Sequence, residues 1–238
     1  VLQLPPLKIL YEDNHCVAIW KPPGTLTTGY EGGEETLDRQ VKEYLKTKYA
    51  KPGNVFLGVV HRLDRPVSGV LLYARNSKSA GRLAEQFRDN VVKKTYWAVV
   101  AGTVEPPVAT LQDWLWKERH EGIVQVLAGP APDAKLARLS YRRLAVAANQ
   151  SWVEVTPHTG RTHQIRVQLA SRGHPIVGDR KYGSTIDLSP LIALHARELV
   201  FQHPIRYEPV ALTAELPPAW VRFAALGVPL PGETQEAT

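Results

Sequence analysis

The chain has 238 residues, 44% of them hydrophobic, and a formal net charge of +6. That length suits one catalytic domain with room for a small second lobe, and the apolar fraction is ample for a packed core. No run of about 18 apolar residues and no charged-then-apolar leader occurs, and Cys16 stands alone, so a membrane span, a secretory signal, a disulfide framework and a Cys-based zinc site are all set aside.

A cytoplasmic, reducing setting is the resulting expectation. The placement of charge says more than its size. Between Asn54 and Val100 there are eight Lys and Arg against three Asp and Glu, and between Lys135 and Gly183 nine against two. The rest of the chain is net acidic. Concentrated positive charge points to a polyanion, most simply a nucleic-acid backbone.

In chain order, Lys8–Tyr11 and Cys16–Trp20 flank the turn-forming Glu12-Asp13-Asn14 and predict a β-hairpin. Lys21-Pro22-Pro23-Gly24 ends it, and Gly29–Glu35 reads as a polar loop. Thr36–Tyr49 has helical spacing, with Thr36 as cap and Leu37, Val41, Tyr44, Leu45 and Lys48 on one face. Phe56–Ala74 reads as strand, turn, strand. Ser77–Asp89 is a second helix with Ala80, Leu83, Ala84 and Phe87 inward. Lys94–Ala101 alternates as a strand.

Leu111–Trp116 and Ile123–Leu127 predict a tryptophan-bearing hairpin, and Pro130–Asp133 a break. Leu136–Val146 and Trp152–Thr156 are strands joined at Asn149-Gln150. Thr162–Ser171 turns helical, which would set Thr162, His163 and Arg166 on one face. Leu191–Phe201 and Val210–Leu216 complete the strands. The fold class expected is α+β, a mixed and largely antiparallel sheet flanked by helices, with one domain over 1–228 and a flexible tail over 229–238.

Four motifs stand out. In His61-Arg62-Leu63-Asp64-Arg65-Pro66-Val67-Ser68-Gly69, one carboxylate lies between two arginines inside an apolar run. Its flanks read as buried strand, so Asp64 sits at the edge of a core. Either cations hold it ionised there for nucleophilic or base chemistry, or an Arg–Asp pair merely fixes a turn. Downstream come Lys93-Lys94-Thr95-Tyr96-Trp97, then Thr159-Gly160-Arg161-Thr162-His163-Gln164-Ile165-Arg166, then Gly178-Asp179-Arg180-Lys181-Tyr182-Gly183.

HRLDRPVSG (61–69), the Lys94-x-Tyr96 strand, GRTHQIR (160–166) and PIVGDRKYG (175–183), in this order and at these separations, resemble the RluA-type family of RNA pseudouridine synthases. The resemblance runs from about Leu10 to about Leu216. It implies the pseudouridine synthase catalytic fold and an isomerase that turns specific uridines of a tRNA or rRNA stem-loop into pseudouridine. No cofactor or metal is implied, and the chain is expected to act as a monomer. It implies Asp64 as the catalytic aspartate, Tyr96 as the aromatic that stacks on the flipped uracil, and Arg166 as the arginine that pairs with the aspartate. Arg62 matches the residue that fills the gap left by the flipped nucleotide, and Leu194 or Leu199 the leucine under the base. Pro66 and Val67 depart from the family's more usual acidic residue or Thr, which changes loop stiffness and leaves the substrate open. Many members carry an N-terminal S4-type domain. This sequence begins about a hairpin before the catalytic region, and the expectation is a catalytic domain without it.

The chemistry of the residues agrees. A stacked uridine must be extruded before its glycosidic bond can be exchanged, which calls for a carboxylate, an aromatic platform and cations for the backbone. His61, Arg65, Arg161, His163, Lys93, Lys94, Arg180 and Lys181 are the further substrate-binding candidates. Plainer readings stand beside these: His61 and His163 as structural hydrogen-bond partners, Lys93 and Lys94 as phosphate contacts that position RNA without reading it, and the basic residues in general as cations scattered over solvated faces. Tyr96 taken alone reads as core, as do Trp97, Trp114 and Trp116, and Asp179 reads as a turn-former. The other functional classes are a non-catalytic RNA-binding module on the same scaffold and a base-releasing glycosidase.

Overall fold

The computed structural model describes residues 5–29, 35–118 and 122–229. In chain order the elements are β1 (Lys8–Glu12), β2 (Cys16–Lys21), α1 (Leu37–Lys48), β3 (Gly58–Val59), β4 (Ser68–Ala74), α2 (Ser77–Arg88), β5 (Lys93–Ala101), β6 (Val108–Lys117), β7 (Val124–Leu127), β8 (Lys135–Ala147), β9 (Gln150–Pro157), α3 (Gln164–Ala170), β10 (Leu194–Gln202) and β11 (Pro209–Thr213). Short 3₁₀ segments cover Arg180–Tyr182 and Pro218–Leu226. The α+β class read from the sequence is what forms. The chain divides into two compact units, Val1–Lys93 with Ala196–Glu215, and Lys94–His195 with Leu216–Thr238.

In the first unit the strands run β1-β2-β4-β10, with β3 beside β4 and β11 beside β10. Every residue of β4 is buried. Cys16, Ala18, Val70, Leu72 and Ala74 face a cluster completed by Leu83 of α2 and by Leu199, Phe201 and Leu212. The alternate residues Val17, Ile19, Leu71 and Tyr73 are buried as well. Strands covered on both faces read as continuous apolar runs, and this is why the flanks of Asp64 do so. Gly69 permits the packing. Its φ is +126°, and a Cβ there would lie 2.2 Å from the Ala196 carbonyl oxygen, so no side chain fits.

The helices depart from expectation at their edges. Thr36 caps α1 by position, but its hydroxyl donates to the Asp38 carboxylate and not to a backbone group. Lys48, expected on the buried face, is exposed at the last turn, where its ammonium binds Glu12 at 2.8 Å. Ala84 of α2 is exposed, whereas Leu83 and Ser79 are buried. Asn76 caps α2, its Oδ1 accepting from the Ser79 N–H at 2.8 Å.

The second unit is built on strands in the order β5-β9-β8-β6-β7, with antiparallel ladders throughout. The β8–β9 turn falls at Ala148-Asn149, both with φ near +50°, one residue earlier than the predicted Asn149-Gln150. Two consecutive left-handed residues make the turn whose twist matches a hairpin. α3 begins at Gln164, not Thr162, because His163 adopts a left-handed φ of 52°. Thr162, His163 and Arg166 therefore do not share a helical face in the way their spacing suggested. α3 is buried from Gln164 to Leu169, and its Val167 packs on Leu115, Val124 and Ala137. Trp97 and Trp152 form a buried edge-to-face pair with centroids 5.0 Å apart, so Trp97 is core, while Trp114 and Trp116 are half-buried.

No element was expected at Pro218–Leu226. It is a 3₁₀ helix whose Trp220, Phe223 and Leu226 are buried. Three-residue spacing eclipses side chains on a 3₁₀ turn, a period distinct from that of an α-helix. Of the tail expected over 229–238, residues 230–238 lie outside the described residues.

Candidate active site

Asp64 is half-buried, between buried Leu63 and Val67 and beside exposed Arg62 and Arg65. Its turn is closed by the Val67 N–H donating to the Asp64 carbonyl at 3.0 Å. The segment 21–27 grips that turn. Gly24 N–H donates to the Arg65 carbonyl at 2.8 Å, and Arg65 Nε returns a bond to the Gly24 carbonyl at 3.0 Å. Thr27 Oγ1 both donates to the Leu63 carbonyl and accepts from the Leu63 N–H, while the Thr27 carbonyl accepts from the Tyr73 hydroxyl at 2.8 Å. His61 Nε2 accepts from the Leu72 N–H at 2.9 Å and its ring stacks on Phe87. That is a structural bond of the kind weighed against substrate contact. A carboxylate mounted on so many fixed backbone groups is held in place before any ligand arrives.

Lys21 completes the grip, and nothing local in the sequence marked it out. It is fully buried, and its ammonium donates to the carbonyls of Pro22, Arg65 and Val67 at 3.1, 3.0 and 2.7 Å. Burial pushes its pKa down to about 7; the charge of Asp64 pulls it back up and that of Arg65 pushes it down. Below pH 7 both the folded and unfolded chains hold this proton, and the folded state bears the whole cost of burying it. Between 7 and the ordinary lysine value the unfolded chain keeps the proton that the folded chain has lost, so the group's contribution to stability rises with pH. Urea unfolding of the wild type and Lys21→Met checks this: wild-type stability relative to the variant is expected to climb above pH 7 by up to about 1.4 kcal/mol per pH unit. A difference that stays level from neutral to alkaline pH contradicts it.

In the second unit, Arg166 is 5% exposed and Asp179 1%. Arg166 Nε and Nη2 donate to the two Asp179 oxygens at 2.7 and 2.9 Å, a buried bidentate pair. Asp179 is thus more than the expected turn-former. Its carbonyl accepts from Tyr182 and Ser184, and its side chain orients Arg166. Tyr182 is a second residue missed from the sequence, where it passed as part of a basic loop. Its hydroxyl accepts from the Val124 N–H at 3.1 Å and lies 2.7 Å from His163 Nδ1. The Arg166 guanidinium sits 5.1 Å from the Tyr182 ring centroid, a cation–π distance. Gln164 ties down the turn before α3, accepting from Thr159 Oγ1 and the Arg161 N–H and donating to the Arg138 carbonyl.

Of the remaining candidates, Tyr96 is half-buried on β5, opposite Val155. Lys94 points to the same face of the strand, and burial lowers its pKa, whereas Lys93 is exposed. Arg161, Arg180 and Lys181 are exposed, with Arg180 3.6 Å from Asp187. Leu194 and Leu199 are equally buried, at 3%.

Among the described residues one group, Asp13, Cys16 and His203, has metal-ligand proximity. Its hydrogen bonds disfavour an ion. His203 Nδ1 accepts from the Ile205 and Arg206 N–H groups, so Nε2 carries the proton and donates to Asp13 at 2.6 Å. Arg206 also binds that carboxylate oxygen at 3.1 Å. Burial pushes the Asp13 carboxyl upward, but the backbone N–H groups of Cys16 and His15 and the side chains of His203 and Tyr11 outweigh it and leave its pKa well below the usual range. Burial likewise drives the Cys16 thiol up to about 12, keeping it protonated.

A family model described as RNA pseudouridylate synthase matches residues 15–171. The chain is 32% identical over 233 residues to the tRNA pseudouridine synthase C of Vibrio cholerae, covering 90% of this chain and 93% of that protein. It is 32% identical over 217 residues to the dual-specificity RNA pseudouridine synthase RluA of Haemophilus influenzae, covering 89% and 94%. Against the ribosomal large subunit pseudouridine synthase C of Vibrio parahaemolyticus it is 34% identical, covering 87% of this chain and 65% of that one. Among solved structures, human RNA Pseudouridylate Synthase Domain Containing 4 superposes with a TM-score of 0.78 at 25% identity, over 94% of this chain and 95% of that one. The order of the motifs, the fold that carries them and these likenesses converge: the chain belongs to the RNA pseudouridylate synthase family.

Proposed function

We propose that this protein isomerises uridine to pseudouridine in a structured tRNA or rRNA substrate, with Asp64 as the catalytic carboxylate. The observation that carries the reading is the family match together with an Asp64 turn fixed by Lys21, Gly24 and Thr27. The reaction breaks the N1–C1′ bond, joins C1′ to C5 and releases the C5 proton while N1 takes one up, with no net redox change. An ionised carboxylate serves equally for attack on the sugar, attack on the base or removal of the 2′ proton. Tyr96 supplies the stacking surface, Arg62 takes the space vacated by the everted nucleotide, and Arg166 is the arginine assigned to the aspartate. The exposed cations Arg65, Lys93, Arg161, Arg180 and Lys181 are assigned to phosphates.

Tritium release from C5-labelled uridine transcripts of tRNA and rRNA stem-loops tests the activity. The expected result is tritium in water with pseudouridine in the RNA and no free uracil. Free uracil identifies a glycosidase, and RNA binding without either product identifies a binding module.

A further inference from the structure

A groove of about 410 Å³ opens in the second unit where the ends of β6, β7 and β8 meet the turn leading into α3. Buried Leu115 and Val124 contribute apolar surface, and Lys117, Lys135 and Arg161 bring three cations against the single carboxylate of Asp133. Arg161 is anchored at the rim: its Nε donates to the Leu136 carbonyl at 3.0 Å. The half-buried Trp116 also lines the groove. The volume falls within the range, roughly 300–1,000 Å³, of pockets that take small ligands.

We infer that this groove holds one nucleotide of the substrate RNA beside the reacting one in the strand, its phosphate on Lys117, Lys135 and Arg161 and its base against the apolar wall, on the same unit as Arg166. The inference rests on the pseudouridine synthase reading for its choice of ligand. Three cations around an apolar patch match the two halves of a nucleotide, a charged diester and a flat base. The groove wall at Gly160–Thr162 runs directly into α3, which carries Arg166. A nucleotide seated here would join the target strand to the helix already assigned to the reaction. Nothing in the motifs assigned a role to Lys117 or Lys135.

The test is the double variant Lys117→Gln/Lys135→Gln, compared with Lys46→Gln/Lys51→Gln, which removes the same charge from exposed positions in and after α1. Binding of a fluorescent stem-loop RNA is measured across salt concentrations, and turnover on the same RNA alongside. For the groove pair, KM is expected to rise about tenfold with kcat within about twofold, and the salt slope of binding to shrink by about 1.5, as for two lost phosphate contacts. The α1 pair should leave both unchanged. Equal effects from the two pairs, or no change of slope in the groove pair, overturn the inference. A wild type that binds RNA but makes no pseudouridine defeats the functional reading alone, because the salt slope still decides whether the groove engages RNA.

Discussion

Asp64→Asn is expected to abolish pseudouridine formation, lowering turnover by about 10⁴-fold or more, while RNA affinity stays within about threefold of wild type. The amide is nearly the same size as the carboxylate but is neither a base nor a nucleophile. The turn should survive the change, because backbone groups hold it: Val67 N–H on the residue 64 carbonyl, Gly24 N–H on the Arg65 carbonyl, and Lys21 on the carbonyls of residues 65 and 67. RNA affinity should survive because it comes from cations elsewhere on the surface. The variant carries a second signature. The Asp64 charge helps keep the Lys21 proton in place, so its loss moves the rise in stability with pH to lower pH. A folded Asp64→Asn protein with near wild-type turnover removes Asp64 from the reaction.

Asp179→Ala is expected to cost about 3–5 kcal/mol of stability, because it removes the bidentate carboxylate partner of a buried guanidinium. Arg166 and Asp179 side chains are 6% and 2% exposed and share two short hydrogen bonds. With Asp179 gone, Arg166 keeps its desolvation and loses its bidentate partner. For a chain of this length the thermal midpoint should fall by on the order of 10 °C. Asp179→Glu keeps the charge and is expected to recover part of that loss. Turnover of the Asp179→Ala protein still folded should also fall, since Arg166 would no longer be oriented by a fixed carboxylate. A midpoint for Asp179→Ala indistinguishable from wild type contradicts the structural role assigned to the pair.

The parts of the fold legible in the sequence are those set by period and burial. β2 and β4 announce themselves as apolar runs because both faces are covered, and the β6–β7 and β8–β9 hairpins by alternation broken at turn residues. What no local pattern decides depends on contacts distant along the chain or on backbone conformation without a sequence signal. Lys21 touches the Asp64 turn across more than forty residues, so its neighbours Trp20 and Pro22 offer no hint of its role. Asp179 sits in a glycine-flanked loop, the usual setting of a turn-former, and its partner lies thirteen residues upstream. His163 breaks the helical spacing by a left-handed φ that is uncommon for any residue but glycine. Gly69 is the reverse case. Its place in the motif was plain, but its reason, a backbone carbonyl where a Cβ would go, needs the β4–β10 approach to be seen.

The motif that carries the chemistry was visible for the same reason that β4 was. A charged residue inside an apolar run is conspicuous, and the resemblance of the four motifs extended it to Tyr96 and Arg166. The supporting shell was not visible, because hydrogen bonds from Gly24, Thr27 and Lys21 involve mostly backbone groups whose partners no side-chain pattern encodes.

The most direct measurement maps pseudouridines across the RNA of cells that carry the wild-type protein, lack it, or carry only Asp64→Asn. A defined uridine in tRNA or rRNA should be modified in the first and unmodified in the other two. Modification that persists with Asp64→Asn, or RNA that is the same in all three, contradicts a reaction run by this one carboxylate.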